Sequence, residues 1–214
     1  PLTSIRGSLG LVAGGITGDL PSEAQEYIGI ALANCDRLIR LINDLLDLER
    51  MSTGNLELRL QTLDLREVVR RCVANHSGFA LPHAISLHLT EPLAEGEVLA
   101  DSDRLDQVLG NFLSNAVKFS PANGTVEISI SYPRAEWLRV SVRDWGAGIS
   151  PEFRNRLFER FAQEDGADNR KKGGTGLGLS ISKTLVESMR GRIGFDTPDG
   201  GGSCFFFDLP LLPT

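Results

Sequence analysis

Cysteine, lysine and long apolar runs are all scarce in this chain. Three cysteines, Cys35, Cys72 and Cys204, lie far apart and none belongs to a CxxC pair. That excludes a zinc knuckle and a disulfide framework and fits a reducing compartment. Lysine occurs only at 118, 171, 172 and 183, so arginine carries most of the positive charge. The formal net charge of −6 argues against a nucleic-acid surface. No apolar run reaches membrane-spanning length, and the first residues lack the basic start and small-residue cleavage site of a signal peptide. The chain opens on Pro-Leu-Thr with no initiator Met and is expected to be a fragment of a longer protein. No internal repeat or low-complexity tract stands out. The chain does have 214 residues, 41% apolar side chains and a mean hydropathy of −0.07, enough for one large domain or for one ordinary domain plus a smaller element.

Residues 23 to 52 read as one long helix. Ile28, Ala31, Cys35, Leu38, Ile42 and Leu45 recur at alternating spacings of three and four, the seam pattern of a coiled coil or bundle, and Leu41 and Leu48 widen the stripe. A helix of that length cannot bury such a stripe against itself. Residues 1 to 13 offer a matching face in Leu2, Ile5, Leu9 and Val12, and Gly14-Gly15 with Gly18-Asp19-Leu20-Pro21-Ser22 read as the turn and cap between the two. The first helix is too short to cover the second. Either its start is missing, or another chain supplies the cover, or the hairpin packs on the rest of the fold.

Beyond Ser52-Thr53-Gly54-Asn55 the periodicity changes. "LELRL", 56 to 60, alternates as a strand does, and Asp64 suits the cap of a helix carrying Leu65, Val68, Val69 and Cys72. Ile85, Leu87 and Leu89 alternate again, and Val98 to Ala100 suits a short strand. A helix is expected from Ser102 or Asp103 through "RLDQVLGNFLSNAVKF". Strands at 125 to 132 and 137 to 144 are joined around Pro133, and Pro151 opens a short helix. Residues 162 to 172, charged and poor in core residues, read as a mobile loop. Ile181, Leu185 and Met189 face a last helix ended by Gly191. A hairpin of 193 to 195 and 204 to 209 finishes the chain. This order predicts a two-layer α/β sandwich with a mixed sheet.

Three short stretches carry chemistry. Asn111 and Asn115 are four apart on one helical face, at the border of the stripe made by Val108, Leu109, Phe112 and Leu113, with Lys118 three further on. A carboxamide oxygen ligates Mg²⁺ and its NH₂ donates to phosphate, or both groups simply satisfy nearby backbone. Asp144 ends a strand before Gly146 and Gly148, where a carboxylate can accept from the exocyclic amine of a purine and the glycines let backbone approach the base; an ordinary turn is the alternative. "GGTGLGLSISK", 173 to 183, places bare backbone at a helix start, which suits an anion or a plain flexible loop. It is neither a Walker loop, since no Lys-Ser/Thr pair comes after Gly178, nor a dinucleotide fingerprint, since no buried strand precedes it.

In that order these stretches resemble the sensor histidine kinases of two-component signalling, within the wider gyrase, Hsp90 and MutL-type (GHKL, Bergerat) ATP-binding fold. "QVLGNFLSNAVKFS" resembles their N box, "DWGAGI" the G1 box, "LFERF" at 157 to 161 the F box, and "GGTGLGLSISKTLVE" the G2 box. The resemblance implies ATP and Mg²⁺ as cofactors, with Asn115 ligating the metal and Asn111 close by. It implies phosphate contacts from Lys118 and from the backbone of Gly174, Thr175, Gly176, Leu177 and Gly178. It implies adenine recognition by Asp144 in a pocket shaped by Gly146 and Gly148. Residues 153 to 175 would form a lid, with Arg160 and Lys171 or Lys172 meeting the γ-phosphate. Trp145 and Ala147 depart from the commonest pattern, and Trp145 either shields the base edge or packs outward.

The front end resembles the family's dimerisation and phosphotransfer hairpin, which implies domains at 1–53 and 54–214 and a homodimeric four-helix bundle through residues 1 to 52. "PLTSIRGSLGLV" is similar to the stretch just after the phosphoacceptor motif His-Glu-Leu-Arg-Thr, so the acceptor histidine is expected five residues before Pro1. His76, His83 and His88 read as surface or packing residues. The favoured reading is therefore the catalytic core of a protein-histidine kinase, the cytoplasmic portion of a parent whose membrane anchoring stays open. Its onward partner would be a response-regulator receiver domain, with neither nucleic acid nor membrane contacted by this fragment. The alternative is a degenerate nucleotide-binding module that regulates other kinases by hairpin pairing. A hydrolase of the gyrase or mismatch-repair kind would need a carboxylate where Asn111 stands.

Overall fold

The computed structural model describes residues 1–16, 18–164 and 174–213. The chain divides into two compact units, Pro1–Leu56 and Glu57–Thr214, so the division falls after Leu56 where the sequence suggested Thr53. Among the described residues no helix is long and apolar enough to cross a membrane.

The first unit is a helical hairpin. Helix α1 (Leu2–Ala13) packs against α2 (Ser22–Ser52), with Arg6 Nε donating to Asp36 Oδ1 at 2.5 Å on the outside. Helix α1 has no buried residue, and along α2 Leu38, Ile42 and Leu45 remain 45–60% exposed. The two-helix arrangement thus leaves most of its apolar stripe in water.

In the second unit, strand β1 (Gln61–Asp64) pairs antiparallel with β3 (Glu97–Ala100) as a separate two-stranded sheet. The strand expected at 56 to 60 is displaced to 61–64. Its partner ends at Ala100, and the N–H of Arg59 goes to the Asp101 carboxylate at 2.8 Å instead of to a ladder. Helix α3 (Leu65–Ala80) is capped by Asp64, which accepts from the N–H of Arg66 at 2.9 Å. The Arg66 guanidinium chelates the same carboxylate and holds it below the usual carboxylate range.

The main sheet has five strands in the order β2-β4-β5-β7-β6: β2 (Ser86–Leu89), β4 (Thr125–Arg134), β5 (Trp137–Arg143), β6 (Arg192–Asp196) and β7 (Cys204–Pro210). β2 lies parallel to β4 and the other pairs are antiparallel, giving the mixed sheet. β4 runs through Pro133, where the register shifts, and the turn falls at Ala135-Glu136, Glu136 having a φ of 62°. Strict alternation puts Val126, Ile128, Leu138, Val140, Val142, Phe205, Phe207 and Leu209 on one face. Helices α3, α4 (Ser102–Phe119) and α6 (Gly178–Ser188) supply the second layer, while Pro151–Arg154 forms the short α5.

Phe112 of α4 sits at the centre of this core, fully buried, with ring centroids 5.6 Å from Phe205 and 6.3 Å from Phe207. A chain of rings continues from Phe205 through Phe195 to Phe158 of the "LFERF" stretch. Cys72, on the buried face of α3, has its thiol pushed up to about 12, first by burial and then by nearby Asp106, and burial also raises Cys204. The three cysteines are free thiols. Helix α6 does not end on the expected glycine. Arg190 takes the left-handed position (φ 60°), with its N–H on Glu187 and that of Gly191 on Val186. Gly191 is small for another reason: a Cβ there would lie 2.6 Å from the Asp208 carbonyl oxygen of β7.

Candidate functional site

One end of α4, the end of β5 and the start of α6 converge. Asn111 and Asn115 sit on the half-buried border of α4, because Val108, Leu109, Phe112, Leu113, Ala116 and Val117 bury the adjoining stripe. The two carboxamides have different surroundings. The Asn111 amide donates to the Gly178 carbonyl and to Ser182 Oγ, both at 3.2 Å, tying α4 to the first turn of α6, and keeps Oδ1 as its acceptor. Asn115, one turn on, makes no hydrogen bond among the described residues and keeps both its oxygen and its NH₂ open.

Past Asn115, the Lys118 ammonium lies 4.7 Å from the Phe119 ring centroid and next to Gly174, where a Cβ would come within 3.3 Å of Nζ. The loop leading into α6 is pinned by short bonds. Gln163 Nε2 donates to the Gly174 carbonyl at 3.0 Å, and Leu177 N–H donates to Thr175 Oγ1 at 3.1 Å. Gly176 has a φ of 71°, and a Cβ would meet the Phe161 backbone at 2.7 Å, so only glycine fits. No side chain caps α6. The N–H groups of Gly178, Leu179 and Ser180 are therefore left for an external acceptor, with the positive end of the helix behind them.

Asp144 is 2% exposed and lies at the end of β5. Its Oδ1 accepts from Gly146 N–H at 2.8 Å and from Ser203 N–H at 3.4 Å, and its Oδ2 accepts from Ser203 Oγ at 2.5 Å. These bonds fix the carboxylate plane. A Cβ on Gly146 would overlap the Phe119 carbonyl oxygen, which brings the end of α4 against the loop. Gly202 (φ 78°) packs on the Asp144 carbonyl, and Gly148 faces the Gly202 carbonyl. Trp145 is 37% exposed and turns outward, its ring 4.8 Å from the Arg143 guanidinium carbon.

Asn111, Asn115, Lys118, Asp144, Gly146, Gly148, Gly174, Thr175, Gly176, Leu177 and Gly178 thus lie on three adjoining segments. Arg160 sits exposed at the end of the "LFERF" stretch with no bond among the described residues. Lys171 and Lys172, and most of the loop expected at 162 to 172, fall outside the described residues. Of the three histidines, His76 packs against α4 at Gly110, where a Cβ would come within 3.0 Å of its Nε2. His76 bonds the Cys72 carbonyl at 2.9 Å, His83 packs on Phe79, and His88 is an exposed residue of β2. Sequence reasoning missed Ser203 and Ser182. The run Gly200-Gly201-Gly202 before Ser203 has the signature of a hairpin turn, and nothing local says that this turn lies against Asp144.

Comparison with known proteins places this geometry. Residues 100–213 match the family model described as histidine kinase-, DNA gyrase B-, and HSP90-like ATPase. Residues 1–54 match that of the His Kinase A (phospho-acceptor) domain. The sensor protein GacS of Pseudomonas syringae pv. syringae is 35% identical over 215 aligned positions, covering 98% of this chain and 24% of GacS. The sensor protein kinase WalK of Staphylococcus aureus is 30% identical over 211, covering 98% of this chain and 50% of WalK. This chain thus spans between a quarter and a half of these relatives. Among solved structures, full-length ShkA in complex with AMPPNP superposes with a TM-score of 0.75 at 32% identity, over 99% of this chain and 44% of that one. The Acinetobacter baumannii histidine kinase AdeS, at 24% identity, shares the fold, with a TM-score of 0.70 over 100% of this chain and 96% of AdeS.

Proposed function

The chain belongs to the family of histidine kinase-, DNA gyrase B- and HSP90-like ATPases, with a catalytic core homologous to sensor histidine kinases, and we propose that it binds Mg²⁺-ATP for phosphoryl transfer to a histidine. The observation that carries this reading is the contrast between the two asparagines. Asn111 is consumed in bracing α6, while Asn115 is left open beside an uncapped helix start and a lysine. That donor set suits Mg²⁺, which takes one or two protein oxygens and otherwise keeps phosphate oxygens and water.

In this reading Asn115 supplies the metal ligand, with Asn111 Oδ1 as a second oxygen on the same face. Lys118 and the N–H groups of Gly174, Thr175, Gly176 and Gly178 hold the phosphates, that of Leu177 being turned to Thr175 Oγ1. Asp144, held and oriented by Ser203 and Gly146, accepts from the adenine amine, and Gly146 and Gly148 leave room for the base. Arg160, with Lys171 or Lys172, would meet the γ-phosphate. Bound Mg²⁺ offsets charge on the transferring phosphoryl group. ShkA, solved with AMPPNP, supports a nucleotide at this site. Residues 1 to 56 contain no histidine, so none of them is the acceptor imidazole of this reading, and a receiver-domain aspartate comes after that imidazole in the relay. The exposed stripe of α1 and α2 supports pairing with a second copy as a four-helix bundle.

Titration calorimetry with a non-hydrolysable ATP analogue tests the site. Binding should weaken when EDTA removes Mg²⁺. Asp144→Asn should cost tenfold or more, on the order of 1–3 kcal/mol, because an amide NH₂ would face the adenine amine. Equal affinity with and without the metal, or in Asp144→Asn, would remove the assigned roles.

A further inference from the structure

The side of the main sheet facing away from the helices has an unusual composition for an acidic protein. Both of the chain's tryptophans point there. On that face Trp137 lies between two guanidiniums, Arg134 at 4.3 Å and Arg192 at 5.2 Å from its ring centroid. One row along, Arg139 stacks on Phe206 at 3.5 Å, and Phe206 in turn lies flat over Gly194, whose missing Cβ would meet the ring at 2.6 Å. Arg143 stacks on Trp145 at the far end. The result is a ladder of alternating arginine and aromatic side chains across β4, β5, β6 and β7. Helices α3, α4 and α6 lie on the sheet's other face.

Charge pairing within the ladder is incomplete. Arg139 makes a two-pronged bond to Asp208 at 2.6 and 3.0 Å. Arg134, Arg143 and Arg192 have no carboxylate partner among the described residues, and the Arg143 Nε is buried with no hydrogen bond at all. Stacking holds these guanidiniums in fixed planes and, apart from the buried Arg143 Nε, leaves their N–H edges able to bond an outside carboxylate. Rigid tryptophan with arginine, and no lysine, is also the composition of an interface centre rather than of an ordinary wet surface.

We propose that this sheet face docks an acidic protein segment, with Arg134, Arg143 and Arg192 receiving its carboxylates and Trp137 and Trp145 its apolar contacts. The face carries Glu127, Asp196 and Asp208 beside Arg134, Arg139, Arg143 and Arg192, so it is net positive in a chain whose net charge is −6, which gives it charge complementarity to a carboxylate-rich segment. The face lies on the opposite side of the sheet from the helical layer. It leads through Arg143 and Trp145 straight into Asp144.

Because both tryptophans belong to the face, their fluorescence reads it directly. A Trp-free, Glu-rich peptide of about a dozen residues, fluorescein-labelled, is titrated into the full 214-residue chain, with fluorescence anisotropy and tryptophan quenching both followed. Saturable binding that weakens with salt is expected, and a Lys-rich peptide of the same length should not bind. Arg192→Glu and Arg134→Glu should each weaken binding at least tenfold. Arg70→Glu, on α3, should leave it unchanged, and all three variants should keep wild-type affinity for the ATP analogue, which also shows that they are folded. Binding that survives Arg192→Glu and Arg134→Glu overturns the proposal. So does preferential binding of anionic lipid vesicles or single-stranded DNA, dimerisation through this face, or no binding by the Glu-rich peptide at millimolar concentration. Since ATP-analogue binding is read separately, failure here leaves the nucleotide reading standing.

Discussion

The hairpin and the α/β unit use equally apolar helices to different ends. Helix α4 buries Leu105, Val108, Leu109, Phe112, Leu113, Ala116 and Val117 against a sheet and two other helices. Helix α2, nearly twice as long, buries only Cys35, Asp47 and Leu48. The difference lies in what each stripe can reach. In the α/β unit every apolar face of a helix has a second layer supplied by the same chain. In the hairpin one short helix faces a long one, and Leu38, Ile42 and Leu45 are left in water. A patch of that kind marks an association surface. The α/β unit finds cover for its helices within one chain, and the hairpin's exposed stripe supports the pairing proposed above.

The largest effect that would test this contrast is in the core. Phe112→Ala removes a fully buried ring that touches Phe205 and Phe207. It should cost about 3–5 kcal/mol of unfolding free energy in a denaturant titration of the α/β unit. Helical signal and self-association of the hairpin should survive it. Comparable loss in both units would mean that they are not independent.

Leu38→Glu should do the reverse. Leu38 is 47% exposed, so unfolding of the single chain should shift by no more than about 0.5 kcal/mol. Self-association should weaken by on the order of 3 kcal/mol, a hundredfold or more in Kd, because a carboxylate would be buried at the seam. Light scattering over a concentration series reads this. A wild-type chain that stays monomeric at high concentration would show that the two helices as they stand do not complete each other across copies.

The smallest effect is confined to the α/β unit and to acid. Arg66 holds the Asp64 carboxyl below its usual range, so the folded state binds its proton less readily than the unfolded state. The stability this contributes is fully present above the ordinary carboxylate range and is lost as pH falls through the lowered folded value. Asp64→Asn should be less stable than wild type by roughly 0.5–1 kcal/mol at pH 6, the gap closing in strong acid. A gap that stays constant down to pH 2 would assign the loss to the cap geometry alone.

Periodicity was enough to read both units, since a stripe at threes and fours and an alternation at twos are local consequences of helix and strand geometry. The order of strands and helices, the Asp64 cap and the border position of Asn111 and Asn115 were legible for the same reason. The misplaced strand at 56 to 60 was not, because "LELRL" alternates as well as "QTLD" does, and only the position of Ala100 and Asp101 decides where pairing stops. Nor was the end of α6, where Gly191 has the right residue type but the left-handed turn is taken by Arg190.

The sequence by itself determined whatever depends on spacing along the chain: an amphipathic hairpin, a mixed α/β layer, and the three stretches that the proposed site draws on. The tertiary structure alone decided the features that join residues far apart in sequence. Asn111 turned out to be a brace because α6 arrives 67 residues later with the Gly178 carbonyl in reach of its amide. Asp144 is oriented by Ser203, 59 residues on. The arginine and tryptophan ladder exists because strand pairing brings Trp137, Arg192 and Phe206 onto one face. A hydrogen bond or a ring stack is set by distances of a few ångströms, and in this fold those distances are fixed by the sheet register rather than by neighbours in the chain.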